Sequence, residues 1–180
     1  MAGANPDIQP DLEEADLRDK DLYRANLSGA NLVKADLSGS NLRESILKDA
    51  FLDDASLHGA DLTAANLSDA NLNGVDLQQA TLYRADLSHV FLTHAVLSGV
   101  DFRGVTLSET QGLETVEHEG HSYLDAHTLR RSQGKIPEAF LRGCGLSPMQ
   151  IAMAKLHNPG LSDEEVTAIT QEIRDLYFAG

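Results

Sequence analysis

Apolar side chains recur on every fifth residue from Leu12 to Leu107, with Phe102 as the one departure from leucine. Two positions before each centre the chain usually carries Ala, Ser or Val, as in "YRANLSGANLVKADLSGSNL", so a small side chain and a large one alternate in lockstep. On an α-helix, steps of five advance about 140° beyond a full turn and scatter the leucines around the cylinder. On a continuous strand, an odd period sends successive leucines to opposite faces. Neither plain element gives a uniform apolar face. A backbone that turns once per five residues does, because every leucine and its small companion then point toward one enclosed axis. The pattern predicts a solenoid, and its spacing permits either three or four units per coil.

The segments "ANLSGANLVKADL" and "ADLTAANLSDANL" carry the motif A(D/N)LXX, and residues 11–108 resemble the pentapeptide-repeat family. The resemblance implies an all-β right-handed quadrilateral β-helix of about five coils, four units to a coil. Phe51 and Phe91, forty residues apart, fit a coil of twenty and not one of fifteen. A rod of this kind exposes backbone and core at both ends, so both ends need caps. The expected organisation is an N-terminal cap at 1–10, the β-helix at 11–108, a transition loop at 109–135, and a small α-helical C-terminal segment, cap or connector, at 136–180.

Helix signals mark that last segment. Pro137 opens "IPEAFLRG", which Gly143 or Gly145 closes, and Ser147 with Pro148 starts "PMQIAMAKLHN". Ser162 and Glu165 form a capping box for a final helix whose apolar stripe is Val166, Ile169, Ile173 and Leu176, with Tyr177 beside it. These helices need a partner surface, and the end of the last coil is the nearest. The segments "GLETVEHEG", "TLRRSQGKIPEAFLRGCGLS" and "AKLHNPGLSDEEVTAITQEI" resemble the tail that follows pentapeptide repeats in bacterial proteins, where the last of them connects to a TIR-type domain. No TIR sequence lies within residues 1–180, so the resemblance implies an arm of a defence or signalling effector and carries over no catalytic residue.

Candidate interaction residues are those that break the polar rule of the outward positions. Ile46, Phe51, Phe91 and Val96 stand where the repeat places Asp or Asn, and form either a partner or dimer patch or ground covered by the terminal segments. A second face aligns Tyr23, Arg43, Thr63, Tyr83 and Arg103, residue types that anchor interfaces, although stacked solvated ladders are the commoner explanation.

The net charge of −14 argues against direct nucleic-acid binding, which needs clustered Lys and Arg. Eight of the acids in residues 1–110 occupy the position just before a centre, so much of the charge belongs to the repeat itself. The charge also suggests an alternative function, a DNA-mimicking inhibitor or protector of DNA gyrase or topoisomerase, as in quinolone-resistance members of the family. Arg18, Arg24, Lys34, Arg43, Lys48, Arg84 and Arg103 interrupt the acidic faces and weigh against it. Residues 1–10 carry no apolar core or basic start, so no signal peptide, membrane span or membrane partner is expected, and the cytoplasm is the default. Lone Cys144 excludes an internal disulfide and reads as a small buried residue. His118, His121 and His127 match no ligand spacing and read as solvated loop residues. No phosphate loop, HExxH or GxSxG occurs. The expectation is a non-catalytic scaffold with no cofactor, metal or small-molecule substrate, binding a protein partner or a second copy of itself.

Overall fold

A computed structural model describes residues 10–178 of the chain. From Leu12 to Leu107 each unit except that of Leu97 closes a turn in which the N–H three residues after the centre donates to the centre's carbonyl, as Ala15 does to Leu12 at 3.0 Å and Ala35 to Leu32 at 3.0 Å. Such a turn needs a positive φ two residues after the centre. From Glu14 to Gly104 every fifth residue has one, between 54° and 78°. Most of these are not glycine, and the left-handed conformation costs each about 1–2 kcal/mol. The hydrogen bonds that the turn makes possible offset that cost.

Because the chain turns at each unit, its extended pieces are short, and parallel pairing takes the form of single bridges. The bridges join residues twenty apart, as in the column Asp11, Asn31, Phe51, Asn71, Phe91, Gln111, so four units make one coil. Leu32 to Leu107 point inward and are at most 1 % exposed, and the small residues that alternate with them are equally buried. The open first coil is different: Leu12, Leu17 and Leu22 are only half-buried. The N-terminal cap expected at 1–10 lies outside the described residues except for Pro10, whose carbonyl accepts from Asn31 N–H at 2.9 Å.

Pairing does not stop at residue 108. Gln111 pairs with Phe91 at an offset of twenty, the two-residue strands β1 (Val96–Leu97) and β2 (Glu117–His118) pair at twenty-one, and Tyr123 pairs with Asp101 at twenty-two. One residue is added per side after Gly112. This breaks the five-residue beat in the sequence while the backbone continues the coil. Leu113 takes the inward place that a leucine at 112 would have held and is 2 % exposed. The segment expected to be a transition loop also contains a helix, α1 (Ala126–Arg131), capped by Asp125, which accepts from Thr128 N–H at 2.7 Å.

Helix α1 closes the end of the rod by supplying hydrogen bonds that the next coil would have made. Thr128 Oγ1 donates to the Phe102 carbonyl at 2.9 Å and accepts from Gly104 N–H at 2.9 Å, while Ser132 Oγ accepts from Leu107 N–H at 3.0 Å. Both side chains are completely buried. Helix α2 (Glu138–Gly143) then sets Phe140 edge-on against Phe102, ring centres 5.7 Å apart, to cover the core. Helix α3 (Pro148–Lys155) starts in a full capping box between Ser147 and Gln150 and buries Ile151. Helix α4 (Asp163–Phe178) packs against α3 and buries no residue completely. The end of the last coil is therefore covered by α1 and α2, and the final helix does not serve as its cap.

Two serines stand at inward positions that other units mostly fill with alanine or valine. Ser40 and Ser45 are 1 % exposed, and neither hydroxyl has a partner among the described residues. Ser45→Ala and Ser40→Ala are each expected to raise unfolding free energy by about 1 kcal/mol, measured by chemical denaturation, because each removes an unsatisfied buried hydroxyl.

Candidate functional site

The preference for Asp or Asn just before each centre has a backbone cause. In every unit from Asp11 to Asp101 that carries one, its side-chain oxygen accepts the N–H of the residue two positions on: Ser38 to Asp36 at 3.0 Å, Thr63 to Asp61 at 2.9 Å, Ser68 to Asn66 at 2.9 Å. This is the one N–H of the unit that neither the turn nor the neighbouring coils satisfy. Ile46, Phe51 and Val96 forfeit the bond, and the N–H groups of Lys48, Asp53 and Ser98 have no protein acceptor among the described residues. At Phe91 the corresponding N–H, on Thr93, turns to Asn73 Oδ1 of the preceding coil at 2.9 Å.

The same positions are open to solvent. Phe51 is 48 % exposed, Ile46 40 % and Phe91 38 %, so the described helices do not cover them; Val96 is half-buried within β1. Phe51 and Phe91 share one column two coils apart, Ile46 lies in the column before it and Val96 in the column after.

The Tyr/Arg face is held within the rod. Arg24 lies over the Tyr23 ring at 4.9 Å and binds Glu44 Oε2 at 2.6 Å, Arg43 reaches Asp61 at 3.1 Å, and Arg103 grips Asp101 at 2.7 Å. The arginine beside each holds the Glu44 and Asp101 carboxyls below their ordinary range. Arg24 and Arg43 are thus spent on the neighbouring coil and Arg103 on its own unit, which is the arrangement of a stacked ladder. On α4, Ile169, Ile173 and Leu176 are half-buried, whereas Tyr177 and Phe178 are 70 % and 83 % exposed. The rod patch and the end of α4 are separate surfaces.

Of the three histidines, His118 is not a solvated loop residue. Its ring stacks edge-on against Phe140 at 5.4 Å, and both ring nitrogens are shut off from solvent without a partner among the described residues. Gly143 makes room for it, since a Cβ there would overlap the imidazole. Burial pushes the His118 pKa below its ordinary 6.5. Cys144 is 3 % exposed and burial pushes its thiol up to about 12, so it is held protonated and inert at neutral pH. No group of three or more metal-binding side chains gathers among the described residues, and no described helix is long and apolar enough to cross a membrane.

A family model described as pentapeptide repeats, in eight copies, matches residues 11–43, 47–79 and 80–111. Among solved structures, a pentapeptide repeat protein of the Arabidopsis thaliana thylakoid lumen is 27 % identical, with 79 % of this chain and 91 % of that one covered and a TM-score of 0.51. HetL, involved in heterocyst differentiation regulation in the cyanobacterium Nostoc sp. strain PCC 7120, is 28 % identical over 66 % of this chain and 65 % of that one, TM-score 0.29. QnrB1, a plasmid-mediated fluoroquinolone resistance protein, is 21 % identical over 69 % and 82 %, TM-score 0.35. None of the curated proteins matches the chain. The thylakoid-lumen structure brings with it the right-handed quadrilateral β-helix. The family match ends at residue 111, before α1 to α4.

Burial of a neutral imidazole fixes the sign of a pH effect. Folding lowers the His118 pKa, so the unfolded chain binds the extra proton; stability is full above 6.5 and falls as pH drops below it. Denaturation at pH 7.5 and 5.5 should show a loss at the lower pH that His118→Leu reduces.

Proposed function

We propose that this chain, which belongs to the pentapeptide-repeat family, is a non-catalytic protein-interaction module whose rod binds a protein partner through Phe51, Phe91 and Ile46. The observation that carries the reading is the sacrifice at those positions. The unit offers a backbone N–H that Asp or Asn would satisfy. Phe51 and Ile46 leave it without a protein partner and expose a large apolar side chain instead. Stability alone favours the opposite choice, so a contact with another molecule is the natural compensation. Phe91 extends the patch along the same column, and rigid coils at a spacing of about 4.8 Å hold its elements at fixed separations.

A second copy of the chain is one possible partner. The interior is filled by leucine, and Cys144 has no thiolate to offer, which supports a role without catalysis. The finer reading, a recognition or assembly arm of a bacterial defence or signalling effector working in the cytoplasm, rests on the resemblance of residues 112–173. Gyrase mimicry is the weaker reading. A DNA mimic needs an unbroken acidic face, and here Arg18, Arg24, Arg43 and Lys48 each pair with carboxylates on the rod.

The test replaces the phenylalanines by the residue that Asn31 and Asn71 already provide in the same column. Phe51→Asn/Phe91→Asn should leave the protein folded and raise unfolding free energy by about 1 kcal/mol through the regained hydrogen bond. It should also abolish self-association in sedimentation runs or the binding of proteins that co-purify with the wild type. Unchanged association and an unchanged set of bound proteins would refute the assignment.

A further inference from the structure

The rod has no room inside for a ligand, but its C-terminal end does on the outside. Where the last coil loosens and α1 crosses it, a cleft of about 810 Å³ opens between residues 83–88 of the rod wall and α1. That volume is within the range of small-molecule sites, about 300–1,000 Å³. Three of its lining residues carry positive or potentially positive groups: Arg84 from the rod, and His127 and Arg131 from α1.

Five of the nine arginines pair with carboxylates; of the four that have no ion pair among the described residues, Arg84, Arg130, Arg131 and Arg174, two line this cleft. Arg18, Arg24, Arg43, Arg103 and Arg142 are all paired with acids. Arg84 and Arg131 have no ion pair among the described residues, although Asp86 and Asp125 line the same cleft. Those two acids are engaged elsewhere. Asp86 accepts from Ser88 N–H at 3.0 Å and Ser88 Oγ at 2.6 Å; Asp125 caps α1 through Thr128 N–H at 2.7 Å. Arg84 is held by its surroundings: its guanidinium lies 5.1 Å from the centre of the Tyr83 ring, and its stem runs against Gly104, where a Cβ would stand 3.0 Å from Arg84 Cγ.

We infer that this cleft is a binding site for a small, multiply charged oxyanion, a phosphorylated or polycarboxylated metabolite, held by Arg84 and Arg131 with His127 as a further polar contact. Arginine suits this task because its planar fork meets phosphate and carboxylate oxygens two at a time. The site joins a rod residue to a helix residue, so occupancy would fasten α1 to the coil it caps. This inference does not rest on the apolar patch: Phe51 and Phe91 lie in another column of the rod, and Ile46 lies two coils before Asp86 in the column that the cleft shares.

Titration calorimetry of the full chain at low salt, with pyrophosphate and separately with citrate, tests it. Saturable one-to-one binding of one probe is expected, the better probe distinguishing phosphate from carboxylate chemistry. Arg84→Gln and Arg131→Gln should each weaken binding about tenfold or more. Both arginines are exposed, so thermal unfolding of the unliganded variants should match the wild type; if Arg84→Gln destabilises the chain, Arg131→Gln alone decides. Absence of saturable binding by either probe, or affinity unchanged in the Arg84→Gln/Arg131→Gln variant, would overturn the site. So would binding only of a polyglutamate peptide.

Discussion

Every five-residue unit of this rod must satisfy five backbone N–H groups, and the structure depends on how it does so. The N–H before the centre donates to the preceding coil; those at the centre and two residues beyond it donate to the next coil; the N–H three residues on closes the turn. The remaining one falls to the Asp or Asn side chain. Only a left-handed residue two places after the centre brings all of these into line, which is why Glu14, Lys34, Asp54 and Ala64 adopt a conformation that their side chains disfavour. Leucine burial fills the axis, but direction and register come from the backbone accounting.

The same accounting explains the end of the rod. A solenoid stops safely only where something else takes over its open hydrogen bonds. Thr128 and Ser132 do this for the last coil, and Phe140 and His118 then close the core behind them.

Much of the fold was legible in the residues. The leucine beat revealed an enclosed axis, and the forty-residue interval between Phe51 and Phe91 agreed with the twenty-residue offset of the bridges. Pro137, Ser147 and the Ser162–Glu165 pair marked helix starts because capping is a local interaction that spacing alone reveals. What escaped was non-local. Pairing beyond residue 108 kept the backbone pattern while losing the side-chain period, α1 was too short to show a stripe, and His118 is buried only because α2 folds back onto it. The candidate patch was visible as a breach of the polar rule. Its hydrogen-bond cost could not be seen until the Asp and Asn acceptors had been located, and the Arg84–Arg131 cleft joins residues forty-seven positions apart in the chain.

Amide hydrogen exchange, resolved by residue, tests the central claim most directly. If the side chain before each centre satisfies the fifth N–H, the amides of Ser38, Thr63 and Ser68 should be protected, Thr93 should be protected through Asn73, and Lys48, Asp53 and Ser98 should exchange markedly faster than these. Equal protection across the two groups would contradict the account.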